Sequence, residues 1–130
     1  LKIAYPKNIC LATCSSSKNT FYKKLTKKYK INYYEGPKLN VLSRIINASK
    51  KFEYNKIVRL TGDNPFIDQE TLRNIILIDK KKYDYILCNN TLRGTRGELI
   101  TIDSLNKLKK IILDIKSTEY LSYYFFRKET

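Results

Sequence analysis

The segment KIVRLTGDNPFIDQETL, residues 56 to 72, encodes a strand, a tight turn and the start of a helix in immediate succession. The apolar run KIVRL predicts a buried strand, which Gly62 and Pro65 end. Asp68 precedes an amphipathic pattern and predicts the start of a helix. A charged Asp63 directly after a buried strand has two explanations. It caps a turn, because Gly-Asp-Asn-Pro is ordinary turn chemistry, or it is an oxygen ligand for Mg²⁺ that carries substrate phosphates.

Strands and helices alternate on both sides of this segment. Strands are predicted at 8–14, 31–37, 56–60, 83–89 and 98–102, and helices at 20–30, 40–54, 68–82, 103–115 and 117–128. The last helix is expected to take Ser117 or Thr118 as its cap. Such alternation is typical of an α/β fold with a mostly parallel sheet that is covered on both sides. Ligands bind beyond the carboxyl ends of such strands, so Asp63 is expected to face the ligand crevice.

Length and composition indicate a single globular domain, 1–130. The chain has 130 residues, of which 42% are hydrophobic and 29% charged, a balance typical of folded domains. No apolar run approaches the roughly 20 residues of a membrane span, so a cytoplasmic location without membrane contact is expected. Three cysteines and no histidine favour neither disulfides nor the usual zinc sites.

The net charge of +14 first suggests nucleic acid as a partner, because clustered Lys and Arg neutralise phosphates. The basic residues are instead spread over solvent faces and last turns of predicted helices, where cations favour the helix dipole. No nucleic-acid partner is therefore expected, and the surface favours anionic substrates. The alternative is a nucleic-acid-binding domain in which Tyr33, Tyr34 and Tyr54 stack bases.

The segment VRLTGDNPFIDQETL resembles the Gly-Asp-x-Pro-hydrophobic-Ile-Asp segment of cytidylyltransferases of bacterial surface-sugar synthesis, the acylneuraminate and 3-deoxy-manno-octulosonate type. The spore-coat polysaccharide biosynthesis branch is the most similar part of that superfamily. The resemblance continues, in order, through ICLATCSSSKN, YYEGPKLNVLSRIINASKKF, LRGTRGELITIDSLNKL and STEYLSYYFFRK. It implies a three-layer αβα, Rossmann-like fold of the nucleotide-diphospho-sugar-transferase type.

The resemblance also implies a reaction, in which a sugar or sugar-acid hydroxyl attacks the α-phosphorus of CTP and pyrophosphate leaves, with Mg²⁺ as cofactor. Another nucleotide or sugar is a close variant, because related scaffolds host several. The implied site residues are Asp63 and Arg44 for catalysis; Thr61, Gly62 and Arg44 for binding the nucleotide; Asn64, Arg93, Arg96 and Glu98 for binding the substrate; and Asp63 and Glu98 for the metal.

Several of these arginines have an alternative interpretation. Arg44 contacts the nucleotide or a phosphate, or it is a plain exposed helix arginine. Arg93 and Arg96 clamp an anionic sugar or pyrophosphate, or they are solvated. Arg59 lies within a strand and is expected to pair with an acid such as Asp84.

Some family features are absent from the chain. No segment matches the phosphate-binding signature Ala-Arg-x-x-Ser-x-Arg-Leu-Pro-Gly-Lys, so the first strand and its loop are expected to be missing. The 130 residues alone are then expected to be inactive, either as a fragment of an active enzyme or as a degenerate, non-catalytic relative. Arg96 replaces a family acid, and Asn40 and Tyr120 replace an Asp and a His. The segment 117–126 is a homodimer surface or, alternatively, the last core helix.

Overall fold

The computed structural model describes residues 5–78, 82–88, 92, 94–112, 118 and 120–126. Its strands are β1 (Cys10–Cys14), β2 (Asn32–Gly36), β3 (Lys56–Arg59), β4 (Tyr85–Leu87) and β5 (Glu98–Thr101). Its α-helices are α1 (Thr20–Tyr29), α2 (Val41–Lys51), α3 (Gln69–Leu77), α4 (Ile102–Ile111) and α5 (Leu121–Phe126). Short 3₁₀ helices lie at Pro6–Asn8 and Ser17–Asn19. The predicted order of strands and helices is confirmed.

The chain forms two compact units, and the first is discontinuous in sequence, with Leu1–Glu53 and Leu108–Thr130. Within it, β1 and β2 pair in parallel, from Cys10 opposite Asn32 to Cys14 opposite Gly36. Helix α1 connects them, as a parallel pair requires a crossover. Helix α2 packs on both strands. The buried apolar side chains of this unit are Leu42, Ile46, Ala48, Leu108, Ile112 and Leu121.

The start of α2 is held by two side-chain caps. Asn40 Oδ1 accepts a hydrogen bond from the Ser43 amide at 2.8 Å. Thr118 Oγ1, in a side chain that is 0% exposed, accepts one from the Leu42 amide at 2.9 Å. Thr118 was expected to cap the last helix, and this expectation is wrong. Helix α5 begins only at Leu121, and the Thr118 hydroxyl instead accepts from the Leu42 amide of α2. Ser117 lies outside the described residues.

Removal of this hydroxyl should destabilise the protein. We expect Thr118→Val, which keeps the shape of the side chain, to cost about 1–3 kcal/mol of unfolding free energy, because the buried Leu42 amide then lacks its acceptor. Thr118→Ser keeps the hydroxyl and should lose only the burial of one methyl group, about 0.8 kcal/mol. Urea unfolding of the two variants measures both losses, and a Thr118→Val variant as stable as the unmodified protein would show that the cap contributes nothing.

The second unit is Tyr54–Lys107. Its three strands have the order β3–β5–β4, and β5 runs antiparallel to both neighbours. The expectation of mostly parallel pairing is therefore wrong for this unit. The physical reason is the connection: β4 and β5 are joined by a loop too short for the crossover that parallel strands need, whereas antiparallel strands accept a short loop. The α/β class itself is confirmed.

Helix α3 begins as predicted, because Asp68 Oδ2 accepts a hydrogen bond from the Thr71 amide at 2.8 Å. The helix packs on β5. The buried apolar side chains of the unit are Leu72, Ile75, Leu99, Ile100, Ile102 and Leu105. A single domain over 1–130 stays a prediction. No helix within the described residues has the length and apolarity to cross a bilayer, and the three cysteines are free thiols, as predicted.

Candidate functional site

The turn after β3 is organised by a short chain of hydrogen bonds. The Asn64 amide donates to Thr61 O at 3.1 Å, and Asn64 Nδ2 donates to Thr61 Oγ1 at 2.6 Å. The Thr61 hydroxyl in turn donates to the Asp63 carboxylate. Because each donor fixes the next group, the carboxylate is oriented before any ligand is bound.

Asp63 is exposed at this turn. The hydrogen bond from Thr61 lowers the pKa of Asp63 below its ordinary value; the Asp63 amide and the positive charge of Arg59 act in the same direction. The carboxylate is therefore ionised at neutral pH, as a metal ligand must be. The same hydrogen bonds are typical of a turn cap, so they are compatible with both predicted roles of Asp63, the turn cap and the Mg²⁺ ligand.

The loop before β5 lies beside this turn. Asp68 N donates to Thr95 O at 2.8 Å. Gly94 has a φ of +85° and is so close to Asn64 that a Cβ added there would lie 3.2 Å from Asn64 Oδ1. The structure thus brings Thr61, Asp63 and Asn64 together with the glycine loop. Arg93 falls in that loop and lies outside the described residues.

Arg59 and Glu98 face each other at the paired ends of β3 and β5. Arg59 Nη1 lies 3.3 Å from Glu98 Oε2, and the two side chains are only 16% and 15% exposed. Arg59 thus pairs with an acid, as expected, but Asp84 as that acid is wrong. Asp84 instead accepts a hydrogen bond from Thr101 Oγ1 at 3.0 Å and lies 3.6 Å from Lys107 Nζ. The register of β3 against β5, which the sequence does not reveal, decides the partner.

Two further side chains lie around this pair. Burial, and secondarily the charge of Glu98, raises the pKa of Tyr85. Arg96 Nη1 donates to Cys88 O at 3.4 Å, so this half-buried guanidinium ties the end of β4 to the loop that precedes β5. Glu98, Arg96 and Asp63 therefore lie at the same end of the three-stranded sheet, where β3 and β4 end and β5 begins.

Gly97 is required by close packing at the same edge. A Cβ at Gly97 would lie 2.8 Å from Leu60 Cδ2 and 3.1 Å from Val58 Cγ1, whereas a Cβ at Gly62 would meet nothing within 4 Å. We expect Gly97→Ala to cost about 1–3 kcal/mol of unfolding free energy through overpacking. Gly62→Ala is the matched control and should change stability by less than about 0.5 kcal/mol. Thermal unfolding measures both, and equal effects would contradict the packing explanation.

Arg44 lies in the first unit and holds its own loop. Its Nη1 donates to Pro37 O at 2.7 Å and to Lys38 O at 3.1 Å. A Cβ at Gly36 would lie 3.0 Å from Arg44 Cγ, so the stem of the arginine lies against this glycine. Arg44 is half-buried and therefore not a plain exposed helix arginine. Its contact with a nucleotide stays a prediction.

A polar cluster at the carboxyl end of β1 and β2 was missed by the sequence reasoning. Glu35 Oε1 accepts hydrogen bonds from Tyr33 Oη at 2.5 Å and from Asn19 Nδ2 at 3.0 Å. Lys23 Nζ lies 3.4 Å from the same oxygen. A signal existed, because Glu35 is an acid at the end of a predicted strand. The rule that directed attention to Asp63 applies equally to Glu35.

The acidic residues fit only one kind of metal site. Within the described residues, no group of three or more Cys, Asp or Glu side chains is placed to hold a metal ion. Of the two carboxylates predicted to hold the metal, Glu98 is engaged by Arg59, which leaves the ionised Asp63 available to a cation. This donor set fits Mg²⁺ that arrives on substrate phosphates, because such ions are bound through one or two carboxylates and keep their other ligands.

The lowered pKa of Asp68 predicts a pH dependence of stability. Hydrogen bonds from Thr71 lower this pKa in the folded state. The stabilisation is therefore present above the ordinary aspartate pKa and is lost as the pH falls through the folded value. Asn is an equally good cap, so Asp68→Asn should lose less stability between pH 7 and pH 3 than the unmodified protein. Urea unfolding at both pH values tests this, and equal losses would contradict it.

Two relatives match most of this chain. Protein MJ1063 of Methanocaldococcus jannaschii, itself described as uncharacterized, is 29% identical over 92% of this chain and 49% of its own length. The spore coat polysaccharide biosynthesis protein SpsF of Bacillus subtilis is 28% identical over 90% of this chain and 50% of its own. The chain thus spans about half the length of these relatives.

A solved structure confirms the fold class. A cytidylyltransferase from Leptospira borgpetersenii superposes with a TM-score of 0.80 at 25% identity, over 91% of this chain and 52% of that one. The Rossmann-like α/β fold implied by the resemblance is therefore confirmed. The family model described as Cytidylyltransferase matches residues 1–126, and the chain accordingly belongs to the cytidylyltransferase family.

Proposed function

We propose that the chain takes part in the transfer of CMP from CTP to a sugar or sugar acid, with release of pyrophosphate, in the synthesis of a surface polysaccharide. Membership of the cytidylyltransferase family carries this proposal. The name of the Bacillus relative supports the polysaccharide context. The oriented, ionised carboxylate of Asp63 at the end of β3 supports metal-assisted transfer of a nucleotidyl group.

In this scheme the substrate hydroxyl attacks the α-phosphorus, the bond to the bridging oxygen of pyrophosphate breaks, and the hydroxyl proton passes to solvent. When bound, Mg²⁺ would supply neutralisation of the charge on the triphosphate. Asp63 would hold that ion; the Thr61 hydroxyl hydrogen-bonds to its carboxylate, and Asn64 Nδ2 in turn holds Thr61 Oγ1. Gly62 leaves open space beside the turn, which allows a nucleotide to approach the backbone.

The basic residues serve the anionic substrates. Arg96 and Arg93 border the glycine loop and contact an anionic sugar or the leaving pyrophosphate. Arg44 contacts the nucleotide through guanidinium N–H groups other than those of Nη1, which is bound to its loop carbonyls. The net charge of +14 draws both substrates to the protein. Glu98, paired with Arg59, orients the sugar or adds a second carboxylate near the metal.

Two partner proposals accompany this function. Helix α5 buries Leu121 and exposes Tyr123 and Phe126 at 60% and 61%, so one face belongs to the core and the other is available to a second copy of the chain. A homodimer is proposed on this basis. The protein is proposed to act in the cytoplasm, where CTP is available.

The test is Mg²⁺-dependent release of pyrophosphate from CTP, with a panel of sugars and sugar acids, by the protein expressed from its complete reading frame. ATP, GTP and UTP are the nucleotide controls, and EDTA removes the metal. We expect release with CTP that requires both a sugar and Mg²⁺. Absence of release with every sugar, together with absence of CTP binding, would overturn the proposal and favour a non-catalytic relative.

A further inference from the structure

One acidic side chain at the carboxyl end of the β1–β2 pair has no role in the scheme above. Glu35 lies opposite Thr13 in this pair, and its side chain is 27% exposed. The strands and α1 form a βαβ unit, the module whose carboxyl strand ends bind nucleotides in α/β folds. Glu35 is therefore placed where a ligand is expected.

The contacts of this carboxylate are one-sided. Tyr33 Oη, Asn19 Nδ2 and Lys23 Nζ all approach the same oxygen, Oε1, at 2.5, 3.0 and 3.4 Å. Within the described part of the chain, no donor contacts Oε2. The three donors therefore fix the plane of the carboxylate and leave its second oxygen with unused lone pairs.

The holding groups are themselves anchored. Asn19 is only 4% exposed, and its Nδ2 also donates to Cys14 O, at 2.7 Å, at the end of β1. This amide thus bridges the two parallel strands and positions the acid on a rigid element. A carboxylate held in this way binds a ligand without first losing rotamer freedom.

We propose that Glu35 is a nucleoside-binding residue, whose Oε2 accepts a hydrogen bond from a neutral donor on the base or the ribose of the bound nucleotide. This inference rests on the proposed function. A carboxylate repels phosphate groups that approach it directly, which disfavours the triphosphate as the contact of Glu35 and favours the uncharged part of the nucleotide. The donors that CTP offers are the exocyclic amino group of cytosine and the ribose hydroxyls.

Nucleotide analogues distinguish these two donors. UTP replaces the cytosine amino group by a carbonyl, and 2′-deoxy-CTP lacks one ribose hydroxyl. We expect the unmodified protein, expressed from its complete reading frame, to bind CTP about tenfold or more tightly than one of these two analogues, because a hydrogen bond to a charged acceptor is lost. Titration calorimetry measures the three affinities and gives the two ratios.

Glu35→Gln should weaken CTP binding about tenfold and bring the affected ratio close to one, because an amide replaces the charged acceptor. If Glu35→Gln no longer distinguishes CTP from UTP, the donor to Glu35 is the amino group of the base. If it no longer distinguishes CTP from 2′-deoxy-CTP, the donor is the ribose hydroxyl. Glu53→Gln removes the same charge from an exposed position of the same unit and should leave the affinities unchanged. If Glu35→Gln fails to fold, Glu35→Asp is the second variant. It keeps the charge but shortens the side chain by one methylene, so the same affinity ratio should fall close to one.

The two possible failures are distinct. Tight CTP binding with ratios that are the same in Glu35→Gln or Glu35→Asp and in the unmodified protein would overturn the role of Glu35 and leave the proposed function intact. A uniform loss of affinity for all three nucleotides would also overturn it, since the acid would then act only through the scaffold. No binding of CTP by the unmodified protein would overturn both proposals.

Discussion

Asp63→Asn is expected to lower Mg²⁺-dependent pyrophosphate release from CTP by about a hundredfold or more. The substitution keeps the size of the side chain and its place at the turn but removes the charge that attracts the metal. Metal stabilisation of the transition state contributes several kcal/mol, and each 1.36 kcal/mol corresponds to a factor of about ten in rate. Initial rates at several Mg²⁺ concentrations measure the effect, and a rise in the Mg²⁺ requirement should accompany the loss.

A charge control separates this effect from a general electrostatic one. Asp103→Asn removes one carboxylate from the first turn of α4 in the same unit, and its rate should stay within about twofold of the unmodified protein, as expected for a surface change. Asp63 would be a turn cap rather than a metal ligand if Asp63→Asn kept its rate and its Mg²⁺ dependence but unfolded at a lower urea concentration.

Glu98→Gln is expected to lower the unfolding free energy by about 2–4 kcal/mol. Glu98 and Arg59 are mostly buried, and removal of the Glu98 charge takes the carboxylate 3.3 Å from the Arg59 guanidinium out of a poorly solvated place. The double variant Arg59→Met, Glu98→Leu should lose less than either single variant, because well-packed apolar side chains replace a buried ion pair at little cost. Urea unfolding of the unmodified protein, Arg59→Met, Glu98→Leu and the double variant forms the required double-mutant cycle.

An exposed ion pair provides the comparison. Lys107 and Asp84 lie 3.6 Å apart with side chains that are 70% and 59% exposed, so Lys107→Gln should cost less than about 1 kcal/mol. Additive losses for Arg59 and Glu98 in the cycle would show that the pair makes no specific contribution.

Local signals in the sequence predicted most of the secondary structure. Asp68 was identified as a helix start because a cap needs only its own side chain and an amide three residues further on. The strand that ends before Asp63 was identified because its apolar run is bounded by Gly62 and Pro65. Both predictions use interactions between residues that are close in sequence, and both are confirmed.

Features that depend on distant pairing were not predictable in this way. The partner of Arg59 is set by the register of β3 against β5, and no local pattern distinguishes Glu98 from Asp84. The role of Thr118 depends on the position of α2, whose Leu42 amide is 76 residues away along the chain. Glu35 was missed for a similar reason, since its carboxylate is held by Asn19 and Lys23, which belong to two earlier elements, the 3₁₀ helix Ser17–Asn19 and α1.

The discontinuity of the first unit has a consequence for biosynthesis. Synthesis proceeds from the N-terminus, and domains fold as units as they emerge from the ribosome. The unit Tyr54–Lys107 is contiguous, so its synthesis is complete before the ribosome reaches Thr118. The N-terminal segment is synthesised earlier, but α2 gains its second cap only after Thr118 has been added. We therefore expect ribosome-stalled nascent chains to protect the later-made unit from proteolysis first, so that the order of folding inverts the order of translation.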